Sequence, residues 1–170
     1  MNLYRKIIAA VAKAGSPLLV CSGLFWIGAV VGQLVYGASW LFTLAWRISL
    51  VLVGCFWGSF LLHELAHALV ICHIPAVKGV VVEQNMLRVS LRPEGALALR
   101  EAVIISISGP GIPVLIGLLL IIFKVPIILC GIFISHLIFL LPCFGDGKAL
   151  VMACRQSYRF CRECRDSNDK

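Results

Sequence analysis

Four long apolar runs divide the chain, at about residues 17–36, 48–74, 97–123 and 125–143. A helix needs roughly 20 apolar residues to cross a bilayer, and each run comes near or exceeds that length. The pattern therefore predicts four membrane spans. Residues 37–47 read either as an interfacial piece or as an extension of a neighbouring span. Tyr36, Trp40 and Trp46 stand there as aromatic residues do at a membrane–water boundary. After the second run the period changes. Lys78-Gly79-Val80-Val81-Val82-Glu83 is β-branched, and Leu87-Arg88-Val89-Ser90-Leu91-Arg92 alternates apolar and polar side chains. Two short strands joined by a turn at Gln84 and Asn85 fit this alternation. The expected fold is an all-α polytopic membrane protein, with about four transmembrane helices and a short membrane-associated β-hairpin after the second span.

Composition agrees. Of 170 residues, 61% are hydrophobic and 14% charged, which leaves no room for a separate soluble domain of normal size. The net charge of +7 does not point to nucleic acid, because the basic residues sit in short segments between apolar runs. There they serve as the positive flanks of spans. If the N-terminus is cytosolic, that side holds Arg5, Lys6, Lys13, Lys78, Arg88, Arg92, Arg100, Lys148, Arg155, Arg159, Arg162, Arg165 and Lys170. The far side holds Arg47 and Lys124. The bias predicts both termini in the cytosol, and the expected location is a bacterial plasma membrane with the site near its cytosolic face. The first apolar run is too long for a signal peptide and no small-x-small site ends it, so it is expected to be a retained span. The chain divides into residues 1–47 (N-terminal segment and first span), 48–150 (a catalytic core) and 151–170 (a basic, cysteine-containing cytosolic tail).

The eight cysteines do not form a disulfide framework. Cys21, Cys55, Cys72 and Cys130 lie within apolar runs, where cysteine behaves as a small hydrophobe. Cys161 and Cys164 make one C-x-x-C without a second pair at finger-like spacing, and they read as reduced cytosolic thiols.

The second run contains the chemistry. His63-Glu64-Leu65-Ala66-His67 is an H-E-x-x-H motif. Residues four apart on a helix lie about 40° apart, one turn above the other, so both imidazoles can reach one Zn²⁺ ion. Glu64 stands beside them, placed to take a proton from the attacking water. Ionisable side chains at membrane depth are costly unless partnered, and one metal ion partners all three. A catalytic zinc usually takes a third protein ligand. Two candidates exist, Asp146 at the end of the fourth run and His73. On a continuous helix His73 points about 240° around from His67 and misses the ion. Depth favours Asp146. It lies about 31 Å of helix from residue 125, and His67 lies about 29 Å from residue 48, so both reach the same face. His136, about 15 Å of helix before Asp146, is too distant to share the ion on a straight helix. It reads as an interhelical hydrogen-bonding group or as a substrate contact.

These motifs resemble the site-2 protease family of intramembrane zinc metalloproteases. The resemblance rests on His63-Glu64-x-x-His67, on Asp146-Gly147 in a later span, and on Ser108-Gly109-Pro110-Gly111-Ile112-Pro113 in the span between them. It covers about residues 48–150. It implies a three-helix core in which His63, His67 and Asp146 hold one Zn²⁺ and Glu64 is the catalytic acid and base. It also implies cleavage of a peptide bond in or near a transmembrane segment of a membrane protein or peptide. Gly109, Pro110 and His136 are the candidate substrate contacts, and the edge of the hairpin could take an extended substrate as an added strand. The chain departs from the family where an Asn is usual. Phe139 stands at one such position and Pro113 at another, and the spacing to Asp146 is one residue shorter. The alternative reading is a non-proteolytic zincin-like module that binds a peptide or partner protein in the membrane.

Overall fold

The computed structural model describes residues 3–85 and 88–168. Side chains at 85, 88, 157 and 159–168 lie outside that description. The first element, α1 (Leu3–Ala14), is amphipathic. Ile7, Ala10, Val11 and Ala14 are buried along one stripe, and Arg5, Lys6 and Lys13 face outward. The spacing of the buried set follows the helical period. Sequence reading treated this stretch only as a charged flank.

Helix α2 (Ser16–Tyr36) ends at Gly37, whose φ of 65° reverses the chain. Helix α3 (Trp40–Ser49) then runs through a π-helical segment (Leu50–Trp57) into α4 (Gly58–Ile71). Together they form one helical stretch of 32 residues, Trp40–Ile71. Residues 37–47 thus mostly extend the second span. The Oγ atoms of Ser22 and Ser49 lie 2.6 Å apart, and Trp26 Nε1 donates to Ser49 Oγ at 3.0 Å. Lipid tails are as apolar as leucine, so hydrogen bonds and close packing of this kind hold neighbouring spans together.

Strands β1 (Gly79–Asn85) and β2 (Arg88–Glu94) pair antiparallel. Gln84 faces Val89 and Asn85 faces Arg88, so the expected turn residues lie within the ladder. The connection falls instead at 86 and 87, outside the described residues. Val89 of β2 enters the core, where it is buried with Ile7, Val11 and Ala68. Phe60, Leu65, Val82 and Leu91 pack against this cluster. Helix α1 and the hairpin therefore cap the last turns of α4. Trp57 ties the cap to the spans, because its Nε1 donates to the carbonyl of Val11 at 3.0 Å. Trp57→Phe should keep the packing and lose this bond, lowering stability by about 1 kcal/mol in an unfolding titration.

Helix α5 (Leu99–Ile122) begins where Glu101 accepts a hydrogen bond from the Ala98 amide at 2.8 Å. It continues through Pro110 and Pro113, each of which withholds one backbone donor from the helix. The fourth span is not the single helix expected over 125–143. Helix α6 (Ile127–Ile134) tightens to a 3₁₀ segment (Ser135–Leu140), and Leu141 is extended, with φ −68° and ψ 146°. The cause is local: the ring of Pro142 drives the residue before it out of helical conformation. Helix α7 (Gly145–Asn168) then begins, so the expected tail from 151 continues a helix as far as residue 168.

Among the described residues, four stretches are long and apolar enough to cross a membrane: Ser16–Tyr36, Trp40–Ile71, Leu99–Ile122 and Ile127–Gln156. Large apolar side chains such as Leu34, Ile122 and Ile128 face outward along them. The fold is an all-α polytopic membrane architecture with one two-stranded hairpin.

Candidate metal centre

Three elements meet at one point. Helix α4 supplies His63 and His67 from successive turns, four residues before its last residue in the case of His67. The first turn of α7 supplies Asp146. A carboxylate suits that place, because the free amides and dipole of a helix N-terminus favour negative charge. His63 Nε2 lies 3.2 Å from His67 Nε2. Asp146 Oδ2 lies 3.1 Å from His63 Nε2, and its Oδ1 lies 3.3 Å from His67 Nε2. Both imidazoles are buried and Asp146 is partly buried.

The spacing is a test of whether a metal fits. Nitrogen and oxygen ligands at about 2.0–2.1 Å from a tetrahedral centre stand about 3.3 Å from one another. The three observed separations fall close to this value. The protonation pattern agrees. His67 Nδ1 donates to the carbonyl of Ile105 at 2.8 Å, so Nε2 carries a lone pair toward Asp146 and His63. The converging atoms are mostly acceptors, and a cation resolves their mutual repulsion where no single proton can. This buried group of His63, His67 and Asp146 could hold a metal ion.

The surroundings fix each ligand differently. His67 is held by its bond to Ile105, and Ser108 Oγ donates to the same carbonyl at 2.8 Å. A carbonyl that takes the second ring proton of a ligand histidine sets both its tautomer and its direction. Gly109 sits directly against the other edge of that ring. A Cβ there would stand 2.7 Å from His67 Cδ2 and closer still to Nε2, so only glycine lets α5 approach the ligand this way. His63 is held by aromatic packing instead. Phe60 stacks on it with centroids 6.3 Å apart, and Phe139 meets it edge-on at 5.1 Å. Gly147 has a similar steric duty. A Cβ there would strike the backbone carbonyls of Leu140 and Leu141, so the Asp146-Gly147 pair lets α7 start tightly against the extended turn.

Glu64 is 4% exposed, next in sequence to His63. His73 stands apart on the surface, where its Nδ1 donates to the carbonyl of Leu69 at 2.7 Å. It closes the end of α4 and does not join the group. Pro110 is fully buried, like Gly109, so both back the ligand helix. His136 is buried with its ring centroid 5.6 Å from that of His63. Its Nδ1 donates to Ile132 of its own helix at 3.3 Å, and the expected interhelical bond is not what holds it. The contacts of Phe139 and Ile105 with the ligands were not anticipated. The sequence signal for the first was its place where the resembled family carries an Asn, and the 3₁₀ segment Ser135–Leu140 brings both Phe139 and His136 against His63. Cys21, Cys55, Cys72, Cys130, Cys143 and Cys154 are free thiols, and the side chains of Cys161 and Cys164 lie outside those described.

No protein-family model, curated protein or solved structure matches the chain. The functional reading therefore rests on the geometry of the site.

Proposed function

We propose that the chain is an intramembrane zinc metalloendopeptidase of the site-2 protease kind, cutting a peptide bond in or near a transmembrane segment. One observation carries this reading: two imidazole nitrogens and a carboxylate, drawn from two different spans, converge within 3.3 Å beside a buried glutamate. Three protein ligands of N and O type suit zinc with one coordination position left open, as catalytic sites have. Zinc bound there supplies Lewis acidity, which makes water reactive near neutral pH and polarises a carbonyl.

The protein's own residues do the rest. Glu64 accepts the proton of the attacking water and returns it to the leaving amine. The carbonyl of Ile105 holds a proton of His67 on Nδ1, which leaves Nε2 as the ligand atom. Phe60 and Phe139 hold the ring of His63 and keep bulk water from that side. In this chain Phe139 occupies the position where the resembled family carries an Asn, and its work is to pack a ligand. The bias of Lys and Arg residues supports a site near the cytosolic face of the membrane.

The test is a cleavage assay with the full chain in lipid vesicles and a panel of single-span membrane peptides. We expect cleavage that stops on chelation and returns with added zinc, alongside about one zinc per chain by elemental analysis. Stoichiometric zinc without cleavage of any peptide would leave a binding module in place of an enzyme. Cleavage indifferent to chelation would remove the metal from the reaction.

A further inference from the structure

A cavity of about 240 Å³ is lined in part by Phe60, His136 and Phe139, the three rings that flank His63. Its walls come from elements far apart in sequence: Leu18 of α2, Phe56 and Trp57 of the π-helical segment, Phe60 of α4, and His136 and Phe139 of the 3₁₀ segment. Most of the lining is apolar, and the hydroxyls of its two serines, Ser59 and Ser135, donate to the carbonyls of Phe56 and Ile132. His136 is different. It is 5% exposed, and its Nε2 is buried with no hydrogen-bond partner among the described residues. Because Nδ1 donates to Ile132, Nε2 carries the lone pair and acts as an acceptor. A buried acceptor without a donor is costly, and in an enzyme it marks the place where a ligand brings one. Phe139 links this cavity to the reaction centre, since its ring touches both His136 and the ligand His63.

We propose that this cavity is a substrate subsite. It receives an apolar, preferably aromatic, side chain of the membrane peptide next to the bond that is cut, while the same substrate donates a hydrogen bond to His136 Nε2. The inference rests on the peptidase reading, and it adds a preference for which residue flanks the cut. The volume suits one large side chain and not a helix. A substrate locally unwound at this point also offers free backbone N–H groups as donors. The donor comes either from that backbone or from the tip of a Tyr or Trp side chain.

The experiment uses the Glu64→Gln chain in phosphatidylcholine vesicles, so that binding is read without turnover. The probes are labelled Leu/Ala membrane peptides with a central Gly pair and one guest residue beside it: Ala, Phe, Tyr or benzoylphenylalanine. The photoreactive guest should crosslink to Phe56, Trp57, Phe60 or Phe139, as mapped by mass spectrometry. Phe and Tyr guests should bind more tightly than Ala. Ser135→Trp and Leu18→Trp, which fill the cavity from different walls, should each erase that preference. Either variant is read only if its unfolding midpoint matches the parent. His136→Phe should weaken binding about threefold, the size of a typical hydrogen bond between groups in lipid, and His136→Gln should restore it. If the loss is confined to the Tyr guest, the side chain is the donor. If it is equal for Tyr and Phe, the backbone is. Crosslinks only outside the cavity, or binding indifferent to guest, filling and His136, would overturn the subsite. A guest preference of the expected kind in a protein that never cleaves any of these peptides would retain the subsite and remove the peptidase reading.

Discussion

Glu64→Gln should leave the metal content of the purified chain unchanged and lower the cleavage rate by about 10²–10⁴-fold, the usual contribution of general acid–base catalysis. The separation of the two readouts follows from the site. Glu64 is not among the three residues whose donor atoms converge, so the amide removes no ligand. Gln has nearly the volume of Glu, and the position is buried at 4% exposure, so the packing around it persists. What disappears is the group proposed to take a proton from water and pass it to the departing amine. The comparison is made on protein of matched zinc content and in the same vesicles. Equal rates would remove Glu64 from the chemistry. Loss of zinc together with rate would make Glu64 a metal-site residue and not a base.

The parts of this site that were legible in the sequence are those fixed by local rules. His63 and His67 share a helix, so their common face follows from the 3.6-residue period alone. The spans follow from run length, and the hairpin from alternation. Asp146 was legible through depth, although the path to it was not. A straight helix from 125 would end near the right face. The actual chain ends α6 at Ile134, tightens, breaks at Leu141 and restarts at Gly145. Asp146 arrives in the first turn of a new helix. The two routes agree on its depth because the break adds few residues. They disagree on His136 and Phe139, whose direction depends on how the chain turns before Pro142. Helix α1 was obscured for a different reason. Leu3, Ile7 and Val11 have helical spacing, yet the charges between them match the flank of a span equally well. Only the packing of Ile7 and Val11 against Ala68 and Val89 distinguishes a cap from a flank.

Asp146→Ala should weaken zinc binding by more than the 10–100-fold that loss of an outer-shell partner costs, because the proposed site takes Asp146 as a direct ligand. The chain then keeps two imidazoles 3.2 Å apart and nothing to oppose them from α7. Asp146 also bridges the two histidines, with one carboxylate oxygen toward each. Its removal therefore frees the first turn of α7 from α4 as well as opening the coordination sphere. His73→Ala is the matched control, since His73 bonds to the end of its own helix on the surface and should leave zinc content untouched. Competition with a chelator of known affinity gives both values. A stoichiometric, tightly held zinc in Asp146→Ala would mean that the third ligand is elsewhere. Loss of zinc in His73→Ala would restore the extended motif that the helical geometry of α4 argues against. Gly109 offers an independent check on the same atoms. Its replacement by Ala should displace the ring of His67 and lower affinity without altering any donor, so weakened zinc there together with an intact His73 variant would locate the ion between α4, α5 and α7.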